Sequence, residues 1–138
     1  MAGLDQNTPL PTEITLHSQS RRLELAFADG SRFVLPFEFL RVHSPSAEVR
    51  GHGPGQETLQ AGKAEVGIDS VESVGHYAIQ PTFTDGHATG IYSWEYLYWL
   101  GDNQEQLWQQ YLERLEAAGA SRHAVAPLQA TAAKRSKG

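Results

Sequence analysis

The sequence predicts an α+β domain: an antiparallel β meander built from two strand–Asp-Gly turn–strand–helix units, followed by a C-terminal amphipathic helix. The first observation behind this prediction is a repeat. The pattern Phe-x-Asp-Gly occurs at residues 27–30 and again at 83–86, and each copy leads to an aromatic-Glu-aromatic-Leu segment. The second is an apolar stripe at helical spacing, formed by Leu107, Trp108, Tyr111, Leu112 and Leu115. Two copies are too few for a repeat array, so they indicate one pseudo-symmetric domain.

The first unit contains two strands, a tight turn and a short helix. Polar and apolar residues alternate from Glu13 to Ser18 and from Arg21 to Phe27, which is typical of half-buried strands. Asp29-Gly30 predicts a type I′ hairpin turn, because glycine accepts a positive φ without steric cost. The return strand follows. Pro36 suits the first position of a short helix, where a missing N–H costs nothing.

A long loop separates the two units. Residues Ser44 to Gly62 are rich in Gly, Pro and Ser, with one helical turn expected at Ser46 to Arg50. The second unit then has strands at Val66 to Val74 and Tyr77 to Thr84, a second Asp-Gly turn, and a return strand at His87 to Tyr92. The prediction is therefore five or six strands.

Two further helices complete the prediction. Ser93 is placed to cap a helix from Trp94 to Leu100, which we expect Gly101 to end. Asp102 followed by Glu105 resembles a capping box for the C-terminal helix.

Length and composition indicate one small domain with flexible ends. The 138 residues are 40% hydrophobic, which is enough for a single core. We expect a flexible N-terminus over residues 1–12, one domain over 13–120 and a disordered basic tail over 121–138. The sequence leaves the oligomeric state open.

Several classes of protein are excluded by composition. The chain has no Cys, which rules out disulfides and thiolate metal sites. It has no apolar run long enough to span a membrane, and residues 1–12 lack the order of a signal peptide. The net charge is −5, and all sixteen acidic residues lie at or before Glu116. An acidic body argues against nucleic acid, so we expect a cytoplasmic protein without a nucleic-acid or membrane partner.

Two segments carry a resemblance to a known family. They are Leu40-Arg41-Val42-His43-Ser44-Pro45-Ser46-Ala47-Glu48-Val49, and Asp85-Gly86-His87 with Gly90-Ile91-Tyr92-Ser93-Trp94. Together they resemble the gamma-butyrobetaine hydroxylase-like N-terminal domain family, formerly a domain of unknown function. The resemblance covers about residues 13–100. It implies a stand-alone bacterial-type member, and it implies no enzyme activity, because the family's dioxygenase chemistry belongs to a separate domain.

The resemblance also implies a lost zinc site. In the dioxygenase members, a Cys-Pro-Cys-x-x-Cys segment and a later His bind zinc. The three Cys positions fall on Ser44, Ser46 and Val49 of this chain, and the His falls on His87. Serine is a poor zinc ligand and valine cannot ligate, so we expect no resident cofactor.

Three functions remain open for these residues. The leading one is a non-catalytic binding or adaptor module for protein partners, which by family association would act in iron–sulfur cluster or metal-cofactor handling. Its expected surface is the loop around Arg41, His43, Ser44, Ser46, Glu48 and His52, together with His87. The alternative is a small metal-binding protein that uses His43, Glu48, His52 and His87 as ligands, with His87 the first candidate.

Catalysis is the third function. A serine of the Ser44-Pro45-Ser46 segment with a His and Glu48 is the composition of a hydrolase triad. The chain has no Gly-x-Ser-x-Gly elbow, so we expect no catalytic residues. Aromatic residues are also dense from Tyr92 to Trp99, and Tyr96 or Trp99 is expected at a protein-binding surface.

Overall fold

In the part of the chain that the structure describes, six strands and four helices form an α+β domain, which confirms the predicted class. The structure, a computed structural model, describes residues 8–51 and 57–123. The strands are β1 (Pro11–His17), β2 (Arg22–Phe27), β3 (Arg32–Pro36), β4 (Ile68–Val74), β5 (Ala78–Phe83) and β6 (Tyr92–Ser93). The helices are α1 (Phe37–Val42), α2 (Ala47–Arg50), α3 (Trp94–Asp102) and α4 (Gln104–Ala117). The strands are divided between two antiparallel sheets, of order β1-β2-β3 and β4-β5-β6.

The alternation of β2 fixes the register of the first sheet. Leu23 pairs with Leu16 on one side and with Leu35 on the other. Leu23 and Leu35 are buried in the core, whereas Leu16 on the edge strand is exposed. Strand β1 begins at Pro11, and Ala28 N–H donates to the carbonyl of Leu10. Residues 11 and 12, which the sequence predicts in a flexible end, are therefore part of this sheet, and Leu10 is bonded to it.

The two Asp-Gly turns share one geometry. Gly30 N–H donates to Phe27 O at 3.0 Å, and Gly86 N–H donates to Phe83 O at 2.9 Å. The glycines have φ of 90° and 91°, whereas neither aspartate has a positive φ. A type I′ turn needs positive φ at both central residues, so the predicted type is wrong. The geometry is that of a three-residue loop with a glycine bulge.

Helix boundaries follow the capping chemistry only in part. Ser93 Oγ accepts from Tyr96 N–H at 3.1 Å, as predicted for the cap of α3. Gly101, in contrast, lies inside α3, and a Cβ there would lie 2.3 Å from Cγ of Phe33, so the close approach of Phe33 requires a glycine. The capping box predicted at Asp102 is wrong as well. Helix α4 begins after Asn103, whose side chain makes no capping bond.

One hydrophobic core joins both units. The largest cluster of buried residues takes side chains from both sheets, α1 and α3, and includes Leu23, Leu35, Phe37, Phe83, Tyr92 and Leu97. A smaller cluster of Val42, Tyr111 and Leu115 fixes α4 against the end of α1. Because the core is shared, neither unit can bury its apolar face alone.

The folded chain continues past residue 120. Gly62 N–H donates to Ser121 O at 2.8 Å, and Ala64 N–H donates to Arg122 O at 2.9 Å. The Arg122 guanidinium makes a bidentate ion pair with the buried Glu38, at 2.9 and 2.7 Å. Residues 121–123, which the sequence predicts in the tail, are therefore held against the domain, and residues 124–138 lie outside the described part of the chain.

Reciprocal contacts hold the two units together. The fifth residue of α1, Arg41, donates to Asp85 in the second turn at 2.9 Å. The fifth residue of α3, Tyr98, donates to Asp29 in the first turn at 2.7 Å. Each helix thus contacts the turn of the other unit, as expected for a pseudo-twofold pair.

The two reciprocal contacts differ in burial, which gives a testable difference in stability. Asp85→Asn leaves the buried Arg41 without its carboxylate, and we expect a loss of about 2 kcal/mol of unfolding free energy. Asp29→Asn alters an exposed contact and has a clearly smaller effect. Urea unfolding of both variants checks this ranking. Equal losses, or a larger loss for Asp29→Asn, would contradict it.

Candidate functional site

The second hairpin departs from the first after its turn. The return strand predicted at His87 to Tyr92 is reduced to Tyr92–Ser93, because the preceding segment leaves the sheet. The Gln80 side-chain amide donates to Ala88 O at 2.8 Å, in place of a backbone pairing. The carbonyl of His87 still accepts from Phe83 N–H at 2.9 Å, but residues 88–91 are outside the ladder and lie against the segment that follows α1.

A chain of polar contacts joins these two segments. Ser44 Oγ lies 2.9 Å from His87 Nε2, and His87 Nδ1 lies 3.1 Å from Glu48 Oε1. Because a carboxylate only accepts, Nδ1 carries the hydrogen and Nε2 accepts from the serine hydroxyl. Ser46 Oγ lies 2.8 Å from Thr89 Oγ1. We call these five residues the serine–histidine cluster.

The cluster also fixes the start of helix α2. Ser46 Oγ accepts from Glu48 N–H at 3.1 Å and is the N-cap predicted from the sequence. Ser46 N–H donates to Ser44 Oγ at 3.2 Å. Gly90 packs directly on this serine, since a Cβ there would lie 2.4 Å from Ser44 Oγ. The α2 turn is thereby held at its base by short contacts to the second hairpin.

An ion-pair network lies beside the cluster. Asp85 accepts from Arg41 at 2.9 Å and from Lys63 at 2.6 Å, and its other oxygen accepts from His87 N–H at 3.2 Å. Burial opposes ionisation of this carboxyl, but these donors outweigh it and lower its pKa to about 2. Arg41 also donates to Gln60 Oε1, so it ties the loop after α2 to the turn.

The cluster has the connectivity of a Ser–His–Glu triad without the access that catalysis requires. The Ser44 side chain is 0% exposed. Its hydroxyl already accepts from Ser46 N–H, and Gly90 occupies the space that a substrate carbonyl would need. The pairing of Ser44 with His87 and Glu48 therefore orders the backbone and leaves no position for a reacting atom.

The donors present do not fit the zinc site that the resemblance implies. Ser44 and Ser46 offer neutral hydroxyls, Val49 is buried and apolar, and both ring nitrogens of His87 are engaged. No group of three or more His, Asp or Glu side chains within residues 8–51 and 57–123 is arranged to hold a metal ion.

The alternative ligand set is not brought together. His43 points away from the cluster, and its Nδ1 lies 3.0 Å from Phe39 O. Burial, followed by the charge of Arg114, lowers the pKa of His43. His52 lies outside the described residues. Of the expected binding residues, the structure therefore joins Ser44, Ser46, Glu48 and His87, with Arg41 adjacent.

A cleft next to the cluster contains two arginines, Arg50 and Arg114, that the sequence pattern does not single out. This α2 cleft has a volume of about 240 Å³, and its walls include Arg50, Tyr96, Trp99, Tyr111 and Arg114. Tyr96 and Trp99, expected at a surface, are half-buried and stack at 5.9 Å in its wall. The two arginines are 64 positions apart in sequence, so only the packing of α4 against the end of α1 could reveal them.

Comparison with known proteins decides the family. A family model described as gamma-butyrobetaine hydroxylase-like, N-terminal, matches residues 14–98. The chain belongs to this family. The resemblance inferred from the Leu40–Val49 and Asp85–Trp94 segments is thereby confirmed. The match is to an N-terminal domain, and no catalytic domain is evident. Among curated proteins, none matches the chain.

Solved structures of family members agree with this fold. Two proteins studied by solution NMR are 47% and 48% identical, with TM-scores of 0.73 and 0.74. They cover 84% and 88% of this chain, and the matches span 91% of each of them. A crystal structure from Acidithiobacillus ferrooxidans, described as a DUF971 protein of unknown function, is 42% identical with a TM-score of 0.58. That match covers 71% of this chain and 98% of the other.

Within the described residues, no helix is long and apolar enough to cross a membrane.

The close approach of Gly90 to Ser44 gives a second prediction. Gly90→Ala forces a methyl group onto the serine hydroxyl and should cost about 2 kcal/mol of unfolding free energy. Ser44→Ala removes the hydroxyl that the methyl group meets. Urea unfolding of both single variants and of the double variant should therefore give a double-variant loss smaller than the sum of the single losses. Additive losses would mean that the two residues do not touch.

Acid sensitivity follows from the two histidines. Burial is the first cause that lowers the pKa of both His43 and His87 below the ordinary 6.5, aided by Arg114 and Arg41 respectively. Below pH 6.5 the unfolded chain therefore binds more protons than the folded chain. The contribution of these two histidines to the unfolding free energy is fully present above pH 6.5 and decreases as the pH falls below it. Urea unfolding between pH 8 and pH 5 measures the slope, which His43→Gln and His87→Gln should each reduce. Unchanged stability across this range would contradict the prediction.

Proposed function

We propose that this chain is a cytoplasmic, non-catalytic protein-binding module, with a contact surface formed by helix α2 and the rim of the α2 cleft. One observation carries the proposal. The inner side of the α2 segment is fixed by buried polar contacts of Ser44 and Ser46, whereas Ala47, Glu48 and Arg50 are exposed. A surface held in one conformation loses little entropy when it binds a partner.

The contacts of the serine–histidine cluster support binding over catalysis. A nucleophile needs an open path to its substrate, and Ser44 is enclosed by Ser46 and Gly90. The outer member, Glu48, is 69% exposed, so the cluster reaches the surface at α2. The arrangement supports a role in which the cluster positions α2 for a partner.

The class of partner comes from the family. Family members occur fused to ATPases of the iron–sulfur carrier type, so a protein that handles iron–sulfur clusters or other metal cofactors is the first partner to test. This chain would act as an adaptor and need hold no metal itself. The proposal depends on the contact surface and is independent of the metal that the partner carries.

Site-specific photocrosslinking in the native cells tests the proposal. A photoreactive residue at Ala47, exposed on α2, should give a discrete adduct with a second protein. The same residue at Glu72, exposed on β4, serves as the matched control and should give none. Mass spectrometry identifies the adduct. No adduct at Ala47, or the same adduct at both positions, would refute the binding surface.

A further inference from the structure

We propose that the α2 cleft receives an acidic side chain of a partner protein. This inference rests on the proposed function and adds the chemistry of the partner. It is carried by the charges of the cleft, by its aromatic wall and by its continuation along α4.

Charge is the first argument. Arg50 and Arg114 both line the cleft, and neither forms a salt bridge with a carboxylate in the described part of the chain. Glu57 is the one carboxylate among the described lining residues, and it lies beyond salt-bridge distance of both. The chain as a whole has a net charge of −5, so two guanidinium groups in one cleft form a local positive site. Guanidinium groups bind carboxylates through charge-assisted, bidentate hydrogen bonds.

The wall of the cleft is already organised. The Arg50 guanidinium lies over the Tyr96 ring, 5.7 Å from its centre, and Tyr96 stacks on Trp99. The hydroxyl of Tyr96 donates to His43 O, and that of Tyr111 donates to Gln60 O, both at 2.6 Å. Because these hydroxyls are engaged, the wall offers aromatic faces to a ligand, and the arginines supply the polar contacts.

The shape of the site suits a protein segment. The cleft itself has a volume of about 240 Å³, which is enough for one side chain. The cleft continues into a shallow groove along α4, of about 550 Å³, which shares His43, Glu57 and Arg114 with it and reaches Leu107 and Ala117. An acidic side chain fills the cleft, and an adjacent apolar residue of the same segment lies in the groove.

Selection from a displayed library of random twelve-residue peptides tests the inference with the full chain as bait. We expect enriched peptides to carry Asp or Glu next to an apolar residue. Fluorescence anisotropy of the best peptide should give about tenfold weaker binding for Arg50→Gln and for Arg114→Gln. Arg22→Gln removes the same charge from an exposed position outside the cleft and should bind normally. Both cleft arginines are exposed, so the variants should retain the wild-type urea midpoint.

Four outcomes overturn the inference. If the enriched peptides lack acidic residues, or if their binding is insensitive to substitution of Arg50 and Arg114, the cleft does not bind an acidic side chain. The carboxylate could also belong to a free small molecule, which we test with glutarate as a competitor. Saturable glutarate binding without peptide binding would show that the cleft binds a small anion. A partner crosslinked through Ala47 that does not depend on either arginine would leave the proposed function intact and refute only this inference.

Discussion

The reciprocal contact between each helix and the opposite Asp-Gly turn is the constraint on which the rest of the structure depends. Arg41 can reach Asp85 only if the C-terminal half of α1 lies across the second hairpin. Tyr98 can likewise reach Asp29 only if α3 lies across the first hairpin. The chain must therefore leave α1 beside the turn of the second unit. The position of the segment that contains Ser44 and Ser46 next to His87 follows from this geometry.

The two units diverge around that shared frame, and the divergence creates the site on one side only. In the first unit, β3 stays paired with β2 over its whole length. In the second, residues 88–91 leave the sheet, and the side chains of His87 and Thr89 contact Ser44, Ser46 and Glu48. The reciprocal contacts differ as well, since Arg41 is a buried charge and Tyr98 a phenol at the surface. A buried charge with two partners, Asp85 and Gln60, fixes its surroundings more strongly than an exposed hydroxyl does.

The sequence predicted the features that depend on local periodicity. Alternating polar and apolar residues predict the strands, and apolar residues at helical spacing predict α4. The hydroxyl side chains of Ser46 and Ser93 predict the two N-caps that the structure contains. The turn type and the Asp102 cap are local errors, whereas others concern residues whose role is set by distant contacts. Gly101 is typical of a helix end, yet it lies inside α3, where Phe33 of the first unit occupies the space of a side chain. The pairing of Arg122 with Glu38 could not be inferred either, because 84 positions separate the two residues.

The serine–histidine cluster illustrates how the same side chains serve chemistry or position according to their burial. A serine, a histidine and a glutamate in series activate a hydroxyl only where that hydroxyl can reach a substrate. Here the inner end, Ser44, is enclosed, and the outer end, Glu48, belongs to an exposed helix. The bonds between them then transmit the fixed position of the second hairpin to α2. Helix α2 has only four residues and could not persist without such support. The orientation of Arg50 at the edge of the cleft thus depends on contacts that are themselves hidden from any partner.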